Sequence, residues 1–162
     1  MLLLGPKTDQ NVWSARARVC AYADEVLDAL TDPERIAEWA PVGFEVEGLA
    51  DGRLSAGSRA RVSGSLAGIG AAFDVEVHRA DLDGLELVAT GPVALDVSYR
   101  FRDHCDGVLV EVAVGVRHRG GLTAQLLRAA LSALLNAGAL RSALHRLESS
   151  LSCPMDAELL AA

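Results

Sequence analysis

Two periodicities divide this chain, and their order restricts the fold more than any other feature of the sequence. From Phe44 to Val116 apolar residues recur at every second position, the spacing of strands with one dry face. From Leu122 to Leu151 they recur at steps of three and four, the spacing of a helix. The alternating runs carry Phe44 and Val46, then Ala60, Val62, Gly64 and Leu66, then Ala71, Phe73, Val75 and Val77. Leu85, Leu87 and Ala89 follow, then Leu95, Val97, Tyr99 and Phe101, and last Val108 to Val116 at every second position. Asp51-Gly52, Gly57-Ser58, Asp83-Gly84, Gly91-Pro92 and Asp106-Gly107 punctuate them with turn residues. Strands joined this closely pair as antiparallel neighbours. They make one sheet whose apolar face must be covered, and the helical segment is what the chain offers to cover it.

That helical segment carries Leu126, Ala130, Ala133, Ala137, Leu140, Leu144, Leu147 and Leu151, widened by Leu127, Leu131, Leu134 and Gly138. The stripe is too broad for a helix with one face in water, so we expect one long helix lying against the sheet. An earlier alternating run, Val12 to Cys20, turns Trp13, Ala15, Ala17 and Val19 to one side and predicts a first strand. Two short helices should follow. Asp24 to Leu30 places Val26, Leu27 and Leu30 on one face. Asp32 then suits a helix N-cap, Pro33 the first helical position and Glu34 the positive end of the helix dipole. This second helix should end near Trp39, before Pro41.

The fold class is therefore α+β: a strand, two short helices, six strands and a long helix. Particular residues in that order also resemble a known family. They are Arg16-Ala17-Arg18-Val19, the run Ala23-Asp24-Glu25-Val26-Leu27-Asp28-Ala29-Leu30-Thr31-Asp32-Pro33-Glu34-Arg35-Ile36-Ala37-Glu38-Trp39-Ala40-Pro41, and Gly57-Ser58-Arg59. The chain resembles the START and birch-pollen-allergen-like superfamily, SRPBCC, in its polyketide cyclase/dehydrase-like branch. The resemblance covers about Val12 to Leu151. It implies a helix-grip fold, a seven-stranded bent antiparallel sheet wrapped around the C-terminal helix with a cavity between them. It carries no catalytic residue with it, because the matching residues build the helix pair that closes the sheet.

Length and composition agree with one domain. At 162 residues and 17.0 kDa, with 51% hydrophobic and 23% charged residues, the chain can bury about two thirds of its unfolded surface and needs no metal or disulfide to fold. We expect a single START-like domain over residues 11–152, a flexible extension over 1–10 and a flexible tail over 153–162. A net charge of -7 and a pI near 5.0 argue against nucleic acid and against an anionic membrane surface. The leucines at the start, Leu2 to Leu4, are too few for a signal peptide or a membrane span. Three cysteines, Cys20, Cys105 and Cys153, are odd in number and widely spaced, which argues against a disulfide framework and for a reducing cytoplasm. A homodimer stays open.

Catalytic constellations are scarce. His78, His104, His118 and His145 fall at no metal-ligand spacing, and no HExxH or Cys/His cluster occurs. There is no GxSxG, no P-loop and no dinucleotide fingerprint. We expect no cofactor and no metal, and assign no catalytic residue. Charged strand residues such as Arg16, Arg61, Asp74, Glu76, Arg100 and Glu111 belong to the outward set and read as a solvated face. Arg141 and His145, four apart on the last helix, read the same way.

The inward set is apolar except for Tyr99, and several of its members are small: Ala15, Ala17, Ala60, Gly64, Ala71 and Ala89. Aromatics are only 4% of the chain, so a bent sheet gripping a helix would keep space inside. Apolar pockets of this kind take small molecules. The sequence thus points to binding of a small hydrophobic molecule: a lipid, a polyketide or an aromatic metabolite. The expected lining is Trp39, Phe73, Val75, Val97, Tyr99, Val112, Leu127, Leu131 and Leu134, with the Tyr99 hydroxyl orienting the ligand. Two alternatives stand beside it. One is an aromatase or cyclase that folds a poly-keto chain and lets ring closure proceed by positioning. The other is a module that meets a protein partner through the charged face of the sheet.

Overall fold

The computed structural model describes residues 11–40, 43–49, 52–66, 68–104, 107–117 and 121–151. The expected flexible ends, 1–10 and 153–162, lie outside these residues, as do His118, Cys105 and Cys153. Element order follows the periodicities. Strand β1 (Asn11–Val19) leads into helices α1 (Ala23–Thr31) and α2 (Pro33–Trp39). Strands β2 (Phe44–Glu47), β3 (Arg59–Leu66), β4 (Ile69–Asp81), β5 (Gly84–Thr90), β6 (Ala94–His104) and β7 (Gly107–Arg117) follow, then helices α3 (Leu122–Asn136) and α4 (Ala139–Ser150).

The strands form one seven-stranded antiparallel sheet in the order β1-β7-β6-β5-β4-β3-β2. Each hairpin pairs with its neighbour, and β1 returns to the far edge beside β7, with Trp13 opposite Val114 and Ala17 opposite Val110. Register follows the pleat, as it must when one face is dry, because a slip of one residue would turn every apolar group outward. Val75, Val77, Leu85, Phe101 and the β7 series from Val108 to Val116 are buried, while Asp74, Glu76, His78 and Arg100 are exposed. A bulge between Val77 and Arg79 resets the alternation so that Ala80 also packs against the core.

The helix pair after β1 is assembled by local chemistry. The Asp32 carboxylate accepts the Glu34 N–H at 3.1 Å, and Pro33 occupies the first helical position. Thr31, buried, donates its hydroxyl to Leu27 O at 2.7 Å, so its polarity is satisfied within α1.

The C-terminal segment departs from expectation. It is two helices, not one. Gly138 adopts φ +90° and ψ 28° between them, the left-handed conformation that ends a helix and that glycine adopts at least cost. The Ala137 N–H donates to Ala133 O and the Gly138 N–H to Leu135 O, closing the end of α3. From the Trp13 side chain, the indole N–H donates to Asn136 Oδ1 at 2.8 Å, tying this break to the edge strand β1. Helix α4 lies against β1 and touches α2, burying Ala143, Leu144 and Leu147. Helix α3 makes its main contacts with β3 and α4. It leaves Leu122 and Leu126 exposed at 75% and 55%.

A second correction concerns the cysteines. Cys20 is disulfide-bonded, against the expectation drawn from an odd count and long spacings. Cysteine usage therefore gives no argument for a reducing compartment. Among the described residues no helix is long and apolar enough to cross a membrane.

Candidate functional site

The break at Gly138 divides the covered face of the sheet into two regions. In the first, α4 lies on β1 and α1 meets β5, and side chains fill the space: Val19, Val26, Leu85, Val110, Val112 and Leu147 are almost wholly buried. In the second, α3 and α2 stand over β2 to β6, and a partly open cavity of about 380 Å³ remains. Its floor is Phe44 and Val46 of β2, Val62, Gly64 and Ser65 of β3, Ala71, Phe73 and Val75 of β4, Leu87 of β5 and Leu95 of β6. Leu127, Leu131 and Leu134 of α3 form one wall. Pro33, Ile36, Trp39 and Ala40 of α2 and its end, with Gly43 and Leu54, complete the rim and the other wall.

Each part of the lining has a local cause. Trp39 is buried at the end of α2, and its indole N–H donates to Ala29 O of α1 at 2.9 Å. That bond locks α2 against α1 and leaves the indole's carbon surface for the cavity. Leu54 sits in the β2–β3 connection, held by its own N–H, which donates to Thr31 O at 2.9 Å. The neighbouring Arg53 pairs with Asp28 of α1 at 2.6 Å. Gly64 stands opposite Ala71 across the β3–β4 pair, and two such small residues leave the floor low. A Cβ at Gly64 would meet Gly43 O at 2.9 Å, so this glycine also permits the approach of the segment before β2. A Cβ at Gly91 would meet Ala72 O at 2.5 Å and the Phe73 ring at 2.9 Å, so glycine there leaves room for Phe73.

The nine residues singled out in the sequence do not share one wall. Trp39, Phe73, Val75, Leu127, Leu131 and Leu134 come together around the cavity. Val97, Tyr99 and Val112 do not line it. Val112 stands in register between Ala15 of β1 and Tyr99 of β6, deep in the filled region, and Val97 and Tyr99 pack against the same core. All three share the inward orientation of Phe73 and Val75, but they lie on β6 and β7, from which Leu95 alone belongs to the described lining. Burial pushes the Tyr99 phenol well above its ordinary pKa, so it stays neutral at physiological pH.

Residues outside the expected lining also line the cavity, among them Pro33, Ile36, Leu54, and Phe44 and Val46, whose alternation had marked them as inward. Ile36 and Pro33 had a signal in the short helix pair that must cover the sheet. Leu54, in a loop, had none. Elsewhere His78, His104 and His145 are exposed, His145 lying 3.9 Å from Glu148. Arg141 is exposed as well. Among the described residues no group of three His, Cys, Asp or Glu side chains could hold a metal ion.

Comparison with solved structures places the fold. A START superfamily protein from Mycobacterium smegmatis superposes with a TM-score of 0.63 at 18% identity, over 87% of this chain and 99% of that one. Ara h 8.0201 superposes at 0.56 and 12% identity, over 86% of this chain and 99% of the other. DynU16, a protein of the dynemicin biosynthetic locus, superposes at 0.53 and 23% identity, over 87% of this chain but 49% of DynU16, so the chain spans about half of that protein. No family model and no curated protein matches the sequence. The chain shares its fold with these proteins, a START superfamily protein among them.

Proposed function

We propose that this protein binds a small hydrophobic molecule in the cavity between β2–β6, α2 and α3. One observation carries the reading: a hollow of about 380 Å³ whose lining side chains are aliphatic or aromatic apart from Ser65. Small-molecule sites are concave, mostly apolar and of this size. Affinity would come from removing apolar surface from water, at about 25 cal/mol per Å². Trp39, Phe73, Val75, Leu127, Leu131 and Leu134 would supply the main contacts, joined by Ile36, Phe44 and Leu54.

A cyclase working in the same cavity would need a base or a polarising donor near the reacting carbons. Ser65 is the single polar side chain of the described lining, and it is exposed. The Trp39 N–H is already engaged with Ala29 O. The lining thus favours a carrier or receptor over a catalyst. Native mass spectrometry of the purified protein, with titration by the neutral probe Nile red, tests the binding reading. A co-purified small molecule or saturable one-to-one probe binding is expected. A protein that emerges ligand-free and leaves Nile red dark at micromolar concentrations refutes it.

A further inference from the structure

The lining also says what kind of molecule the cavity would take. We infer that it selects an uncharged, hydrocarbon-rich ligand and holds it without a polar side-chain anchor. This deepens the binding proposal and rests on it. The polar side chains of the described lining residues are few, and each is turned away or engaged. The Trp39 indole N–H, the natural hydrogen-bond donor of such a wall, is bonded to Ala29 O at 2.9 Å. Ser65 is exposed at the edge of the cavity. Tyr99, the one inward phenol, does not line it. Part of the backbone is engaged as well. Ile36 N–H donates to Asp32 O at 2.9 Å, Ala40 N–H to Ile36 O at 2.8 Å and Leu54 N–H to Thr31 O at 2.9 Å. The lining residues of β2 to β5 stand in antiparallel ladders on the sheet. No Arg, Lys, His, Asp or Glu side chain belongs to the described lining.

A ligand hydroxyl buried against the lining, away from the open side, would lose its water and meet no polar side chain, and a carboxylate would lose far more. An apolar pocket discriminates against an added hydroxyl by about a hundredfold. Selection should therefore follow transfer into cyclohexane, which forms no hydrogen bonds, and not into octanol, which does. Fatty acids and poly-keto chains would be disfavoured relative to hydrocarbon-like molecules of the same size.

The test uses three ligands on one carbon skeleton: 2-ethylnaphthalene, 2-(2-naphthyl)ethanol and 2-naphthylacetate. Each competes with Nile red on the intact protein at pH 7.4. The hydrocarbon should displace the probe, the alcohol should need about a hundredfold higher free concentration, and the carboxylate should be weaker still. An alcohol or carboxylate within tenfold of the hydrocarbon overturns the inference and leaves the binding proposal standing. So does a hydrocarbon that fails to displace bound Nile red. If Nile red itself does not bind, the binding proposal falls and this inference falls with it.

Discussion

Replacing Ala71 by Phe separates a real cavity from a solid interior. Ala71 lies on the cavity floor, and the residue across the strand pair is Gly64, which has no side chain to obstruct a ring. The hollow is about 380 Å³, the space of roughly a dozen waters at about 30 Å³ each, so a phenyl ring enters without displacing neighbours. Full burial of a Phe side chain contributes about 1.5–3 kcal/mol relative to exposure, and cavity-filling substitutions deliver about 0.5–2 kcal/mol once strain is counted. For a chain of this length each kcal/mol shifts Tm by about 2–4 °C. Ala71→Phe should therefore raise Tm by about 1–8 °C and abolish Nile red binding, read by differential scanning calorimetry and fluorescence titration on the same samples. A solid interior predicts the reverse: overpacking costs about 1–3 kcal/mol and Tm falls. A fall in Tm with probe binding intact would refute the reasoning, because the probe would then bind elsewhere and the floor would be closed. Gly64, though on the same floor, is unsuited to this test, because a Cβ there meets Gly43 O at 2.9 Å. Ala17 is unsuited as well, since it faces Val110 outside the cavity.

Three further outcomes follow from single contacts. Trp39→Phe keeps the ring but leaves the buried Ala29 carbonyl without its donor, so urea unfolding should show a loss of about 1–3 kcal/mol. Gly138→Ala forces a side chain into φ +90° and should cost about 1–2 kcal/mol; no loss in a thermal melt would mean that α3 and α4 can join into one helix. The Asp81 carboxyl is held below the ordinary aspartate range, first by the hydrogen bond from Arg79 at 2.8 Å and then by the Asp83 and Gly84 N–H groups. Its contribution to the β4–β5 turn is thus present above the unfolded pKa and is lost as pH falls through the lower folded one. Carboxyl NMR titration should show that low value, and Arg79→Gln should raise it.

Much of the fold was legible because period two and period 3.6 are set by backbone geometry alone. The order of elements and the dry face of β6 and β7 follow from it, and the Asp32–Pro33 helix start follows from capping chemistry. The helix break was written in Asn136-Ala137-Gly138, a recognisable stop signal. The apolar stripe running across it hid the signal, since Leu134 and Leu140 fit either one helix or two. The Cys20 disulfide was illegible for a different reason: spacing along the chain says nothing about which cysteines meet in space. For the site, alternation told which side chains point inward but not which helix stands above them. Hence Val97, Tyr99 and Val112 were grouped with Phe73 and Val75, although they stand outside the described lining of the cavity.

The division of the covered face has a consequence for how stability and binding relate. Large β-branched residues fill β7 at Val108, Val110, Val112, Val114 and Val116, and Leu144 and Leu147 of α4 are buried with them. Gly64 and Ala71 occupy matching inward positions on β3 and β4, where the facing helix is α3, set off from α4 by a left-handed glycine. Close contacts, and the dispersion and burial energy that come with them, are therefore concentrated away from the hollow. A chain that closed its interior everywhere would gain contacts but lose the space. Here the filled region holds many of the close contacts, while Ala71, Leu131 and Leu134, only partly buried on the lining, can change size at less cost than the buried Leu127 or Val75. If the cavity binds as proposed, that separation would let one scaffold accept differently shaped apolar molecules through substitutions at Ala71, Leu131 or Leu134 while the filled region stays unchanged.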